Sequence, residues 1–316
     1  INFGQYDGTI FIDKVSLKKS GTETYIIPEN NFESGIGGWF GWGNSSTREK
    51  SADGEGFGGF GGGTIEKTPE EKKAIIDEAL EKWIKGMVTN CAPYVKAWDV
   101  VNEPMSDWPD PTQLKTGIGK TLAADEFYWQ DYLGKDYAVR AIQLARKYGN
   151  AADKLFINDY GLENADQKKC QGLIQYIQYV ESKGVKVDGI GTQMHVTLGE
   201  TTMEGIRAML TKLAATGKLV KISELDMGIK EGGVTVKTEN VTSAQLQQMS
   251  DFYQQIVKAY FEIVPAAQRY GITQWAATDS PDSSSWRGGE PIGLWKLDYT
   301  RKPAYAGFAD GLKSLK

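Results

Sequence analysis

Apolar and polar positions follow two different periods along residues 64–316. Short apolar runs predict strands at residues 95–102, 154–159, 189–194, 219–225 and 271–277. Stretches with apolar residues three or four positions apart predict helices, first from about Thr68 and then at residues 136–148, 166–183, 203–216, 243–264 and 305–315. Strands that alternate with helices are typical of a parallel sheet covered by helices.

The first predicted helix carries a start signal, because Thr68 and Glu71 have capping-box spacing around Pro69. Trp83 lies on this helix and Trp129 on another helical stretch, so both are expected in the core.

Five strand–helix units are fewer than the eight that close a (β/α)8 barrel. The predicted fold class is therefore α/β, a TIM (β/α)8-type barrel that is incomplete, with strands four to eight present over residues 64–316. Unpaired strand edges pair readily with other chains, so self-association through open sheet edges is expected.

Residues 1–63 have a different character. The stretch DGTIFIDKVSL alternates like one half-buried strand of an antiparallel sheet. Residues 35–63 hold 12 glycines, whose backbone entropy opposes regular structure. We therefore predict an N-terminal β-strand and glycine-rich linker, with a domain boundary between residues 63 and 64.

The amino-acid composition limits the classes of binding partner that are expected. The net charge of −5 comes from interspersed acidic and basic residues, and this pattern does not indicate a nucleic-acid-binding face. The sequence has no run of 18 apolar residues, so membrane insertion is not expected. Cys91 and Cys170 are expected to be buried thiols. One histidine without clustered ligands cannot assemble a zinc site, so neither a metal nor a cofactor is expected.

Two predicted strands end in glutamate: WDVVNE ends at Glu103, and VKISE ends at Glu224. The carboxyl ends of parallel barrel strands meet at one face, where barrel enzymes carry their chemistry. Glycoside hydrolysis needs two carboxyl groups, about 5 to 5.5 Å apart in a retaining enzyme. The pair therefore indicates a glycosidase.

Several motifs in order resemble glycoside hydrolase family 10, the endo-β-1,4-xylanases. They are WDVVNEP (98–104), NDYG (158–161), GTQMHV (191–196), ISELDM (222–227), QWAATDS (274–280), SSSWR (283–287) and GLWKLDYTRKPAYAG (293–307). The resemblance implies that Glu103 is the general acid/base and Glu224 the nucleophile. It further implies that His195 keeps Glu224 ionised and oriented, with Asp226 behind the histidine as a supporting partner.

The resemblance also implies a set of sugar-binding residues. Asn102 would bond the sugar 2-hydroxyl, and the rings of Trp275 and Trp286 would stack on sugar rings. Tyr160 would be the aromatic residue on the leaving-group side. The full implied set is Asn102, Asn158, Tyr160, Gln193, Trp275, Trp286 and Arg287.

The family's first three strands and their sugar-binding residues have no counterpart here, and residues 1–63 resemble a remnant of a β-sandwich carbohydrate-binding module. The implied function is retaining endo-hydrolysis of β-1,4-xylosidic linkages, with xylan and xylo-oligosaccharides as partners. The implied location is extracellular, cell-surface or periplasmic. We expect the isolated chain to be weakly active or inactive. The alternatives are a non-catalytic xylan- or β-glucan-binding fragment and a β-1,4-glucanase.

Overall fold

The computed structural model describes residues 15–18, 20, 22, 25–30, 67–123 and 126–314. The chain divides into a unit of residues 1–70 and a unit of residues 71–316. The predicted boundary at residue 63 lies outside the described residues.

In the N-terminal unit, strand β1 (Val15–Lys18) pairs antiparallel with strand β2 (Tyr25–Asn30). β1 overlaps the end of the stretch that the sequence predicts as an antiparallel strand, residues 7–17. The glycine-rich residues 35–63 lie outside the described part, so both the linker and the sandwich remnant stay predictions.

Within residues 67–314, five strands pair side by side and in parallel, in chain order. They are β3 (Ala97–Asn102), β4 (Lys154–Asp159), β5 (Gly189–Thr192), β7 (Leu219–Glu231) and β9 (Arg269–Gln274). Strand β6 (His195–Leu198) pairs in parallel with the C-terminal half of β7. Strand β8 (Val234–Thr235) forms an antiparallel hairpin with the end of β7. The predicted strands and their order are confirmed, and the architecture is that of an incomplete α/β barrel.

Helices connect these strands. They are α1 (Pro69–Cys91), α2 (Trp129–Leu133), α3 (Tyr137–Tyr148), α4 (Lys168–Ser182), α5 (Met203–Ala215), α6 (Ser243–Ile263) and α7 (Pro303–Lys313), with short 3-10 turns at Thr238–Asn240 and Ala266–Gln268. Trp129, which the sequence places on a helical stretch, begins α2, and this helix is only five residues long. Each helix of the described residues is too short or too polar to cross a bilayer.

Local sequence explains where several helices begin. Thr202 caps α5, because its side chain accepts a hydrogen bond from the Gly205 backbone amide. Thr242 and Gln245 form a reciprocal capping box at the start of α6. Pro303 occupies the first turn of α7, where its missing N–H group costs nothing.

The core lies between the sheet and the helices. Phe156 and Ile157 of β4 and Ile222 of β7 are fully buried. The expected burial of Trp83 is wrong, because its side chain is 65% exposed. Trp129 is half-buried and packs against the core.

Trp83 borders a groove of about 310 Å³ between α1, α3 and strand β3. Met87, Trp98 and Val100 also line this groove. Apolar residues on one side of α1 therefore face an open space beside an outer strand of the sheet.

Candidate active site

The two predicted carboxylates lie on the same sheet, one at a strand end and one inside a long strand. Glu103 directly follows β3, and Glu224 lies within β7. The backbone amide of Glu103 donates to Asn158 O over 2.8 Å, and that of Glu224 donates to Gln193 O over 3.1 Å. Each carboxylate is therefore anchored through its backbone to a neighbouring strand end.

Side-chain amides connect the two carboxyl groups. Gln193 Nε2 donates to Glu103 Oε1 over 2.9 Å and lies 3.4 Å from Asn102 Oδ1. Asn158 Nδ2 donates to Asn102 Oδ1 and to Glu224 Oε1, each over 2.9 Å. The sequence-predicted residues thus meet in one hydrogen-bonded network that runs from one carboxylate to the other.

Asn158 is the buried centre of this network, with 1% of its surface exposed. Ser223 Oγ donates to its Oδ1 over 2.6 Å. Gly191 lies opposite Asn158 in the sheet, and a Cβ there would come within 2.2 Å of Oδ1. The sequence analysis names Asn158 only as a sugar-binding residue and does not foresee its contact with Glu224. Gly191 leaves room for the Asn158 side chain on the adjacent strand, and this fit can be recognised only once the strand register is known.

His195 lies between two carboxylates. Its Nε2 is 3.3 Å from Glu224 Oε2, and its Nδ1 is 3.1 Å from Asp226 Oδ1. Burial alone lowers the pKa of His195, but the adjacent carboxylates of Asp226 and Glu224 raise it to about 9. The ring is therefore an imidazolium cation at neutral pH. Asp226 lies behind it, as the resemblance implies.

Asp226 is held by the loop that follows β9. Arg287 Nη1 donates to its Oδ1, and Trp286 Nε1 donates to its Oδ2, each over 2.9 Å. Arg287 also donates to Val196 O and Thr197 Oγ1, over 3.1 and 3.0 Å. The sequence predicts that Arg287 binds substrate, whereas its guanidinium here donates to Asp226, Val196 O, Thr197 Oγ1 and Glu290.

Trp275 and Trp286 flank His195. Their ring centroids lie 6.0 and 4.6 Å from that of the imidazole, and the residues remain 55% and 41% exposed. Large apolar rings beside a polar floor can stack on the CH-rich face of a sugar ring. The position of both tryptophans suits that use.

Glu103 has a neighbour that sequence reasoning missed. Lys115 Nζ lies 3.2 Å from Glu103 Oε2. Burial alone raises the pKa of Glu103, but the Gln193 amide and the Lys115 ammonium bring it below its ordinary value. Both residues of the ion pair line a hollow of about 280 Å³, together with Phe127, Tyr128 and other residues.

Tyr160 is surrounded by charged groups. Its ring lies 3.4 Å from Lys169 Nζ and 4.8 Å from Lys115 Nζ, and its hydroxyl donates to Asp107. Lys169 Nζ pairs with Asp107 at 2.7 Å and with Asp159 at 3.2 Å. Burial raises the pKa of Asp159 to about 6, although the Lys169 charge opposes this. These contacts hold Tyr160 close to the Lys115–Glu103 pair.

Three non-glycine residues of the site have left-handed backbones: Glu103 (φ 53°), Met194 (φ 63°) and Arg287 (φ 46°). Such a conformation costs about 1 to 2 kcal/mol per residue. The turn at Met194 separates β5 from β6 and so directs Gln193 and His195 into the site. Strain concentrated at these positions is typical of a functional site.

The described residues contain no group of three or more His, Cys, Asp or Glu side chains placed to hold a metal ion. Cys91 and Cys170 are free thiols, the first half-buried and the second buried.

Comparison with known proteins decides the family. The model of glycosyl hydrolase family 10 matches residues 64–311. The chain belongs to glycosyl hydrolase family 10. Among curated family relatives, it is 33% identical over 232 residues to endo-beta-1,4-xylanase Xyn10C of Cellvibrio japonicus, covering 68% of this chain and 36% of that protein. It is 30% identical over 250 residues to endo-1,4-beta-xylanase A of Halalkalibacterium halodurans, covering 75% and 58%.

A solved xylanase structure is also similar. It is a mutant of xylanase A from P. fluorescens subsp. cellulosa in complex with xylopentaose, with a TM-score of 0.63 and 28% identity. The match covers 76% of this chain and 71% of that chain. The chain thus spans part of the length of its curated and structural relatives.

Proposed function

We propose that this family 10 chain carries the catalytic centre of an endo-β-1,4-xylanase that works by retaining double displacement. The observation that carries the proposal is the network joining Glu103, Asn102, Asn158 and Glu224, with His195 beside the last. Two relatives are named xylanases, and a similar xylanase structure holds xylopentaose.

Glu224 is the proposed nucleophile. Asn158 donates to one of its oxygens and the His195 cation lies at the other, and both contacts stabilise the ionised form. The carboxylate would attack the anomeric carbon as the bond to the leaving xylose oxygen breaks, which forms a covalent glycosyl-enzyme.

Glu103 is the proposed acid/base. It would give its proton to the leaving oxygen in the first step and take one from water in the second. Asn102 lies between the two carboxylates in the network, where its amide can reach a sugar 2-hydroxyl. Trp275 and Trp286 would stack on the sugar, while Gln193 and Arg287 position Glu103 and Asp226.

The test is reducing-sugar release from xylan by the 316-residue chain, with Glu224→Gln as the matched variant. We expect slow hydrolysis, because three strands of a full barrel have no counterpart in this sequence, and no hydrolysis by the variant. Proton NMR of the first product should show the β-anomer. Xylan binding without hydrolysis would replace this proposal with the binding alternative, and equal release by the variant would refute the nucleophile role of Glu224.

Rates on xylan and on carboxymethyl-cellulose separate a xylanase from a β-1,4-glucanase, and we expect xylan to be the faster substrate. We also propose that the protein acts outside the cell, at its surface or in the periplasm, because polymeric xylan does not cross a membrane. Sedimentation analysis tests the proposed self-association through the sheet edges.

A further inference from the structure

A short antiparallel ladder returns the chain to Glu103 after a turn. Ser106 N donates to Gln113 O and Lys115 N donates to Pro104 O, each over 2.8 Å, and Met105 bridges to Leu114. Lys115 is thereby placed next to Glu103, although 12 positions separate them.

The Lys115 ammonium group is directed at the carboxylate. Its Nζ lies 3.2 Å from Glu103 Oε2, and the two side chains are 22% and 37% exposed. The other nearby cation, Lys169, is already paired with Asp107 and Asp159. Among the described residues, Lys115 is therefore the cation in direct contact with Glu103.

We infer that Lys115 is a positioning residue that stabilises the carboxylate form of Glu103, and so favours the base step over the acid step of the proposed reaction. The catalytic role inferred for Lys115 rests on the proposed function, but the Lys115–Glu103 ion pair can be tested independently of that function. The lowered pKa of Glu103 agrees with this geometry.

Other charged and polar groups act on the Glu103 carboxylate. Lys169 of α4 attracts it from a distance, and the Gln193 amide donates to it. The Lys115 side chain in turn faces the Tyr160 ring. The charged or titratable groups around the pair are Asp107, Asp159, Tyr160 and Lys169, the tyrosines Tyr128 and Tyr137 that line the same hollow and, across the amide network, Glu224 with His195.

The experiment is a carbon-13 NMR titration of the Glu103 carboxyl group in the full chain labelled at glutamate, with the resonance assigned by Glu103→Gln. In Lys115→Met we expect the pKa of Glu103 to rise by about 1 to 2 units, because a charge partner within hydrogen-bond distance is lost. Lys115→Arg should keep the low value. Lys120→Met, an exposed lysine of the same segment without contact to Glu103, should leave it unchanged.

Kinetics give a second readout. On xylan, the alkaline limb of kcat/KM should move upward by the same amount in Lys115→Met. On an aryl xylobioside with a good leaving group, the alkaline limb should not move, because the leaving group departs without a proton.

An unchanged titration of Glu103 in folded Lys115→Met overturns the inference. If that variant does not fold, Lys115→Gln serves, since the backbone bond to Pro104 is retained. Absence of xylan hydrolysis in every variant would refute the proposed function and leave the titration to decide the ion pair.

Discussion

Strands β4, β5 and β7 lie in the middle of the sheet and are covered on both faces, whereas β3 and β9 are its outer members and are covered far less. Every residue of β5 is buried, as is every residue of β4 after Lys154. In β3 only Val101 is buried, and β9 has no buried residue. A continuous apolar run is therefore fully buried only where its strand pairs with a neighbouring strand on each side.

The two proposed catalytic carboxylates are divided between these regions. Glu224 lies on central β7, and its side chain is 16% exposed. Glu103 follows outer β3, and its side chain is 37% exposed. One carboxylate is thus fixed by dense packing, whereas the other depends on Gln193 and Lys115 for its position. The chemistry at the outer strand therefore relies on a few polar contacts.

The largest expected effect comes from Glu103→Ala. Loss of the proposed general acid should reduce kcat/KM on xylan by about 10² to 10⁴-fold. An aryl xylobioside with a good leaving group should still form the glycosyl-enzyme, which then accumulates because the base is also missing. Steady-state and burst kinetics measure both effects. Glu239→Ala, an exposed carboxylate, is the control. Equal losses on both substrates would contradict the acid/base role.

Paired isoleucine variants test the difference in packing. Ile157 on β4 is fully buried, so Ile157→Ala should lower the free energy of unfolding by about 2 to 5 kcal/mol. Ile272 on β9 is half-buried, and Ile272→Ala should cost about 1 kcal/mol. Urea denaturation followed by tryptophan fluorescence measures both. Similar losses would mean that β9 is covered in solution, as self-association would achieve.

The fold was predictable where the signal was local. Helix and strand periodicities recur along residues 64–316 and gave the strand order, because parallel strands joined by helices follow chain order here. Periodicity could not tell whether the apolar side of α1 has a partner, so the burial of Trp83 was predicted wrongly. Strand β6 was also missed, since the turn at Met194 depends on a left-handed backbone.

The site was predictable where residues end a strand. Glu103, Gln193 and Glu224 meet because the carboxyl ends of parallel strands share one edge of the sheet. Lys115 was missed because the ladder that delivers it has too few residues for a periodic pattern. A Pro–Asp–Pro turn at residues 109–111, between Met105 and Leu114, was the available signal.

The His195 cation makes the free energy of unfolding depend on pH. Its pKa is raised from 6.5 to about 9, so its contribution to stability is complete below pH 6.5 and is lost as the pH rises through 9. Relative to His195→Asn, the free energy of unfolding should fall by about 2 to 3 kcal/mol between these values. Urea denaturation at several pH values measures it. Parallel curves for the two proteins would show that His195 gains no charge stabilisation from Asp226 and Glu224.

The smallest effect on stability is expected at the groove beside β3. Trp83 is 65% exposed, and its ring lines the groove, so Trp83→Ser removes few buried contacts and should change the free energy of unfolding by less than about 0.5 kcal/mol. Exposed apolar patches next to an unpaired strand promote association. The same variant should therefore shift sedimentation velocity profiles toward the monomer. Tyr94→Ser, at a residue 72% exposed but outside the groove, should leave the profiles unchanged. An equal shift in both variants would assign the association to general surface hydrophobicity instead of the outer strand.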